Sequence, residues 1–247
     1  MGSFKNKVLG DLGGKVGNIV GRRRKGKYFV YVMPDEVKIS NSPEAKRSRN
    51  IMIPVAKFAS IVNSIPELKY IWAQTKIDAF DAFHKIEKAN FHFFIPERPT
   101  LKNIIVPICY FEKVITSSNI SIEGIRLTGF ITKEIMKQME EAKELLGIGV
   151  ICYFNPIMEN TDYFHLSKIR SSNVDVKIDE QFGVKIPLCE EEQNNFNSYR
   201  NSIIYFTFIG KNVEGVPVVF TTTYQSEFTH EYSTAKTERF RICDSRA

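Results

Sequence analysis

From Phe91 onward the chain is a succession of short runs rich in β-branched and aromatic residues, each bounded by Pro, Asn or Gly, and no other feature constrains the fold as much. Such side chains pack well on a pleated surface and lose rotamer freedom in a helix. Eight runs stand out: 103–111, 119–127, 149–154, 163–169, 174–178, 184–188, 202–209 and 216–224. Their spacing suits an antiparallel β-sandwich of the immunoglobulin-like kind over 96–225. One inserted helix is expected over 132–146, where Thr132 caps, Ile135, Met139, Ala142 and Leu146 share a face, and Gly147 terminates. The tetrapeptide Ile-Cys-Tyr-Phe occurs at 108–111 and again at 151–154, which raises a duplicated strand as one reading and chance similarity of β-rich segments as the other. The stretch 226–247 reads as a polar, loosely held tail.

Residues 41–95 read differently. Asn41-Ser42-Pro43-Glu44 is a helix start, with a capping side chain, a proline whose missing N–H costs nothing there, and an acid in the first turn. Ile51, Val55, Phe58 and Val62 follow at helical spacing, and Pro54 among them predicts a kink or break. A second start at Ser64-Ile65-Pro66-Glu67 leads a face of Leu68, Trp72, Ala79, Phe83 and Ile86 out to Asn90, completing a helical hairpin. The fold expected for the whole chain is therefore α+β and mainly β.

The first 40 residues are an arm. Glycines at 2, 10, 13, 14, 17, 21 and 26 leave few apolar side chains to close a core, and the β-prone runs 15–22 and 27–32 suit a hairpin that turns through Gly26 at positive φ. Charge is concentrated here. Residues 1–50 hold twelve Lys and Arg against four Asp and Glu, a net +8, while the remainder is −2, in a chain of +6 overall. Lys15, Arg22, Arg23, Arg24, Lys25 and Lys27, with Tyr28 and Tyr31, are the candidate contact residues, because adjacent cations neutralise phosphates while aromatics stack. The alternation of Tyr28, Val30 and Val32 favours another use, in which the arm buries one strand face against a neighbouring subunit.

The segment Gly14-Lys15-Val16-Gly17-Asn18-Ile19-Val20-Gly21, followed by Lys25-Gly26-Lys27-Tyr28, resembles the opening of a family of uncharacterised proteins from Bacteroidota and their phages. Those proteins have Trp-Lys-Gly where this chain has Arg24-Lys25-Gly26. Ser42-Pro43-Glu44-Ala45 is similar to that family's helix entry, and Tyr153-Phe154-Asn155-Pro156 to a strand end in its sandwich part. The resemblance implies an arm, a helical hairpin and sandwich domains, and no catalytic residues.

Motifs that carry chemistry are missing from the sequence. Gly14-Lys15 is followed by Val16 rather than Ser or Thr and position 9 is Leu, so no phosphate loop is formed. His84, His92, His165 and His230 show no H-E-x-x-H spacing, and Cys109, Cys152, Cys189 and Cys243 form no C-x-x-C pair, which makes buried reduced thiols and structural histidines the expectation. No G-x-S-x-G elbow occurs. The acids Glu190-Glu191-Glu192 read as a solvated loop, and Glu140, Glu141 and Glu144 as the outer face of a helix. No run is long enough to span a bilayer and the N-terminus has no signal-peptide stretch, so the expected site is cytoplasmic or particle-associated. The function expected is that of a non-enzymatic subunit of a large particle, such as a phage virion or tail-like assembly, a homo-oligomer without cofactor, metal, membrane or small-molecule substrate. The alternative is a nucleic-acid-binding protein that uses the same arm.

Overall fold

The computed structural model describes residues 2–4, 14–24, 26–34, 36, 39–108, 114–130, 142–158, 161–171 and 181–230. The chain divides into two compact units, 1–46 and 47–247. The N-terminal unit holds a four-stranded antiparallel sheet in the order β1-β4-β3-β2, formed by β1 Gly2–Phe4, β2 Gly14–Val16, β3 Ile19–Arg24 and β4 Lys27–Val32.

The larger unit is built on a five-stranded antiparallel sheet. Its centre is β7 Glu144–Pro156 paired with β10 Tyr199–Lys211; β8 Phe164–Arg170 flanks β7, and β11 Pro217–Phe220 and β12 Tyr224–Thr229 share the far edge of β10. Three further strands, β5 Ile115–Ser121, β6 Gly124–Phe130 and β9 Gln181–Pro187, form a second antiparallel sheet. The two sheets face each other: Ile125, Leu127, Phe182, Val184 and Ile186 pack with Ile151, Tyr153, Ile204, Phe206 and Phe208. This is a β-sandwich arrangement.

Helices cover the other face of the larger sheet. Helix α1 Pro43–Asn63, α2 Pro66–Gln74 and α3 Ala82–Asn90 bring Phe58, Val62, Leu68, Trp72 and Ile86 into one core with Ile148, Val150, Cys152, Ile203, Tyr205 and Ile209. The central strands are thus buried on both sides, which is why 146–154 and 203–209 read as nearly continuous apolar runs rather than alternating ones. Close packing of the layers needs small residues under large ones. A side chain at Gly147 would collide with the Phe206 ring and the Ser171 hydroxyl.

Several expectations need correction. Pro54 lies buried within α1, which continues through it. The single second helix is two, because Asp81 caps a new one: its carboxylate accepts from the backbone N–H of His84 at 3.0 Å, and 75–81 is irregular. Residues 103–108 form no strand. Side chains satisfy their backbone instead: Asn90 Oδ1 accepts from Ile104 N–H at 2.8 Å, and the Thr223 hydroxyl accepts from Ile105 and Val106 N–H at 3.1 and 3.3 Å. The 119–127 run is folded into a hairpin of β5 and β6, since Gly124 has φ +154° and a side chain there would lie 2.5 Å from the Ile186 carbonyl. The 216–224 run is split between β11 and β12.

Within the expected 132–146 helix, residues 132–141 lie outside the described residues, but Glu144, Leu146 and the intended stop Gly147 belong to β7. The run 174–178 also lies outside them. Ile108 is 89% exposed whereas Ile151 is buried at the sheet centre, so the first residues of the repeated tetrapeptide occupy unlike surroundings. Glu190–Glu192 open a helix, α4 Glu190–Ser198, rather than a loop. The polar tail begins with structure, as Ser226–Thr229 pair with β10 and His230 is buried.

Candidate functional site

The N-terminal sheet carries the residues singled out by charge. Gly17 and Asn18 join β2 to β3, with Gly17 at φ +58°, and Gly26 closes the β3–β4 connection at φ +75° as expected. Both glycines supply the positive φ that tight antiparallel connections demand. The register places Lys15 opposite Val20, Val20 opposite Tyr31, Arg22 opposite Phe29 and Arg23 opposite Tyr28.

Side chains directly opposite one another project to the same side of a sheet, and neighbours along a strand alternate. One face therefore carries Lys15, Val20, Arg22, Lys27, Phe29 and Tyr31. The opposite face carries Ile19, Arg23, Tyr28, Val30 and Val32. The Arg23 guanidinium sits 5.4 Å from the centroid of the Tyr28 ring, as a cross-strand pair should. The candidate residues are thus divided rather than gathered: Lys15, Arg22, Lys27 and Tyr31 share one face, while Arg23 and Tyr28 occupy the other. Arg24 ends β3, and Lys25 lies outside the described residues. Arg22 and Arg23 thus lie in β3 and point to opposite sides of the sheet. On the second face Ile19 is 49% and Val32 67% exposed.

Comparison with family models, curated proteins and solved structures returned no match. The chemistry must be read from the residues themselves.

Two buried polar clusters in the larger unit escaped the sequence reading. Glu67 of α2 accepts from Arg170 Nη2 at 2.9 Å and Lys211 Nζ at 2.7 Å through one oxygen, Oε1. Burial pushes this carboxyl up, but the Lys211 hydrogen bond and the charges of Arg170 and Lys211 outweigh it and hold the group below its ordinary range. The cluster bolts α2 to the ends of β8 and β10. Local sequence could not reveal it, because its members are more than a hundred residues apart.

In the second cluster, His230 Nδ1 donates to the carbonyls of Tyr199 and Phe196 at 2.8 and 3.1 Å, which fixes the tautomer and leaves Nε2 to accept from the Ser202 hydroxyl at 3.0 Å. A Ser–His pair at this distance has the geometry of a nucleophile and its base. Here Ser202 is fully buried, the imidazole is stacked on Phe196 at 3.9 Å, and two carbonyls orient it. The pair therefore acts as a clasp that holds the end of β12 to β10 and α4. Burial lowers the His230 pKa.

Of the other histidines, His84 lies in α3 and hydrogen-bonds Asp81 at 2.8 Å, and His165 lies in β8. Cys152 is buried, and burial pushes its thiol up. Cys189 departs from the expectation of buried thiols: it is exposed and caps α4, where Glu192 Oε2 accepts from its N–H at 2.9 Å. Cys109 and Cys243 lie outside the described residues. Among the described residues, no three His, Cys, Asp or Glu side chains are grouped to hold a metal ion, and no single helix is long and apolar enough to cross a membrane.

Proposed function

We propose that the protein is a non-enzymatic subunit of a larger assembly, of the kind found in a phage virion or tail-like particle, and that its N-terminal sheet joins one copy to the next. The observation that carries this reading is the exposed apolar end of one face of that sheet, where Ile19 and Val32 stand across from each other in solvent while Arg23 and Tyr28 occupy its other end. Covering an exposed apolar patch removes hydrocarbon from water, and a second copy of the same chain would bring an identical patch to meet it. Strands β3 and β4 are paired on both sides within the sheet, so a neighbouring copy would meet these two strands through their face, while β1 and β2 hold the outer edges.

The test is sedimentation of the full-length chain across a concentration series beside the variant Ile19→Asp/Val32→Asp. The wild type is expected to self-associate and the variant to remain monomeric. A wild-type chain that stays monomeric at every concentration would sink the reading, and so would a double variant that associates equally well. Mass spectrometry of particles purified from the source, showing the chain as a stoichiometric component, would identify the assembly.

A further inference from the structure

The same sheet has a second face of different chemistry, and the inference drawn from it does not depend on self-association. Residues 12–34 contain six Lys and Arg and no Asp or Glu. The register sends Lys15, Arg22 and Lys27 to one side of the sheet, all exposed, together with the half-buried rings of Phe29 and Tyr31. Phe29 and Tyr31 alternate with Lys27 along β4, so successive aromatic positions are about 7 Å apart along the strand. That interval is close to the span of one nucleotide in an extended single strand. Arg22 stands directly across from Phe29, and Lys15 lies in the same cross-strand row as Tyr31, one strand further out.

We infer that this face binds single-stranded nucleic acid, with Phe29 and Tyr31 stacking on successive bases and Lys15, Arg22 and Lys27 neutralising the phosphates beside them. Charge complementarity selects a polyanion. The interleaved rings select one with planar faces to stack, and unpaired bases meet that need where a duplex hides them. The reading is sequence-tolerant, since every base has a π-face and the site offers cations rather than a set of base-reading hydrogen bonds. Arg23, with the same charge one residue along, faces the other way and stacks on Tyr28, so it lies outside the site.

That division gives a test in which charge is held constant. Fluorescence anisotropy with the full-length chain, a labelled oligothymidylate and the matching oligouridylate should show binding whose log–log salt slope is about −2, or roughly 0.7 for each of three phosphate contacts. Arg22→Gln and Lys27→Gln should each weaken binding several-fold and flatten the slope by about 0.7. Arg23→Gln should leave both nearly unchanged. Tyr31→Thr, which keeps a strand-forming residue but removes the ring, should weaken binding by about 5- to 100-fold, and Tyr31→Phe should retain it. Equal losses from Arg22→Gln and Arg23→Gln would overturn the assignment to one face. Indifference to Tyr31→Thr, or heparin competing as well as the oligonucleotide, would reduce the site to diffuse polyanion attraction and overturn the stacking role. Absence of binding at low salt would overturn the inference entirely.

Discussion

The two large sheets of this protein solve the same problem in opposite ways. In the central sheet of the larger unit, β7 and β10 have helices on one side and a second sheet on the other, and their side chains from 146 to 154 and from 202 to 210 are buried almost without interruption. In the N-terminal sheet, β4 alternates through Lys27, Tyr28, Phe29, Val30, Tyr31 and Val32 with no residue fully buried. A strand covered on both faces spends its side chains on cohesion, and a strand whose side chains stay half-buried or exposed keeps them available for contact. Cohesive burial and open surface are thereby assigned to different stretches of one chain.

The comparison can be broken most sharply at Trp72. It is fully buried between the helices and the sheet, and its indole N–H donates to the Ile105 carbonyl at 2.8 Å. Trp72→Ala should cost about 3–5 kcal/mol in chemical denaturation, the usual penalty for a large buried aromatic. A tolerated substitution would mean that the helices do not seal the sheet.

Next in size is Lys211→Met. Removing the sole partner of a buried charge costs about 3–5 kcal/mol, and because Arg170 still meets Glu67, a loss of about 2 kcal/mol is expected. Its pH dependence has a definite sign. The folded-state pKa of Glu67 is depressed, so its contribution is present above the unfolded carboxyl pKa and disappears as pH falls through the folded value; without the Lys211 hydrogen bond and charge this acid-dependent loss shrinks, so the stability gap between variant and wild type should narrow toward acid.

His230 gives a smaller and more gradual effect. Its folded pKa is also lowered, so the unfolded chain takes up a proton first as pH falls below about 6.5. Stability should decline from there toward acid, by at most about 1.4 kcal/mol per pH unit for one proton, and His230→Gln should remove that component of the slope. Denaturation midpoints at a series of pH values would reveal it.

The smallest change concerns the N-terminal unit. Deleting 1–34 should shift the unfolding free energy of the rest by less than about 0.5 kcal/mol, because none of the described residues among them belongs to either core of the larger unit. A large shift in the denaturation midpoint would show that the N-terminal sheet is cohesive after all.

What could be read from the sequence follows the same divide. The doubly buried runs at 149–154 and 202–209 announced themselves through unbroken apolar β-branched and aromatic residues, and α1 through its cap and its spacing of Ile51, Val55, Phe58 and Val62. The misses cluster where long-range partners replace a local signal. Residues 103–108 have strand-like composition, yet Asn90 and Thr223 capture their backbone from distant positions. Glu144 and Leu146 fit a helical phase as well as a strand, and pairing of 144–146 with 209–211 decided between them. Glu67 and His230 looked like ordinary polar residues, because their partners Lys211 and Ser202 are distant in sequence. At the candidate site the residue types were legible from charge and aromaticity. Which of them share a face was not, because one residue of register decides whether Arg22 or Arg23 stands beside Phe29.

The pairing of β7 with β10 has a mechanical consequence. Their register runs without a shift from Tyr199 opposite Pro156 to Lys211 opposite Glu144. Tension drawn along the strand axis would load these rungs together, in shear, and all would have to yield at once. Tension drawn across the sheet would peel them one at a time from an end. A protein of this design is strong in one direction and weak in the other, and the direction from which it is pulled decides which of the two is met.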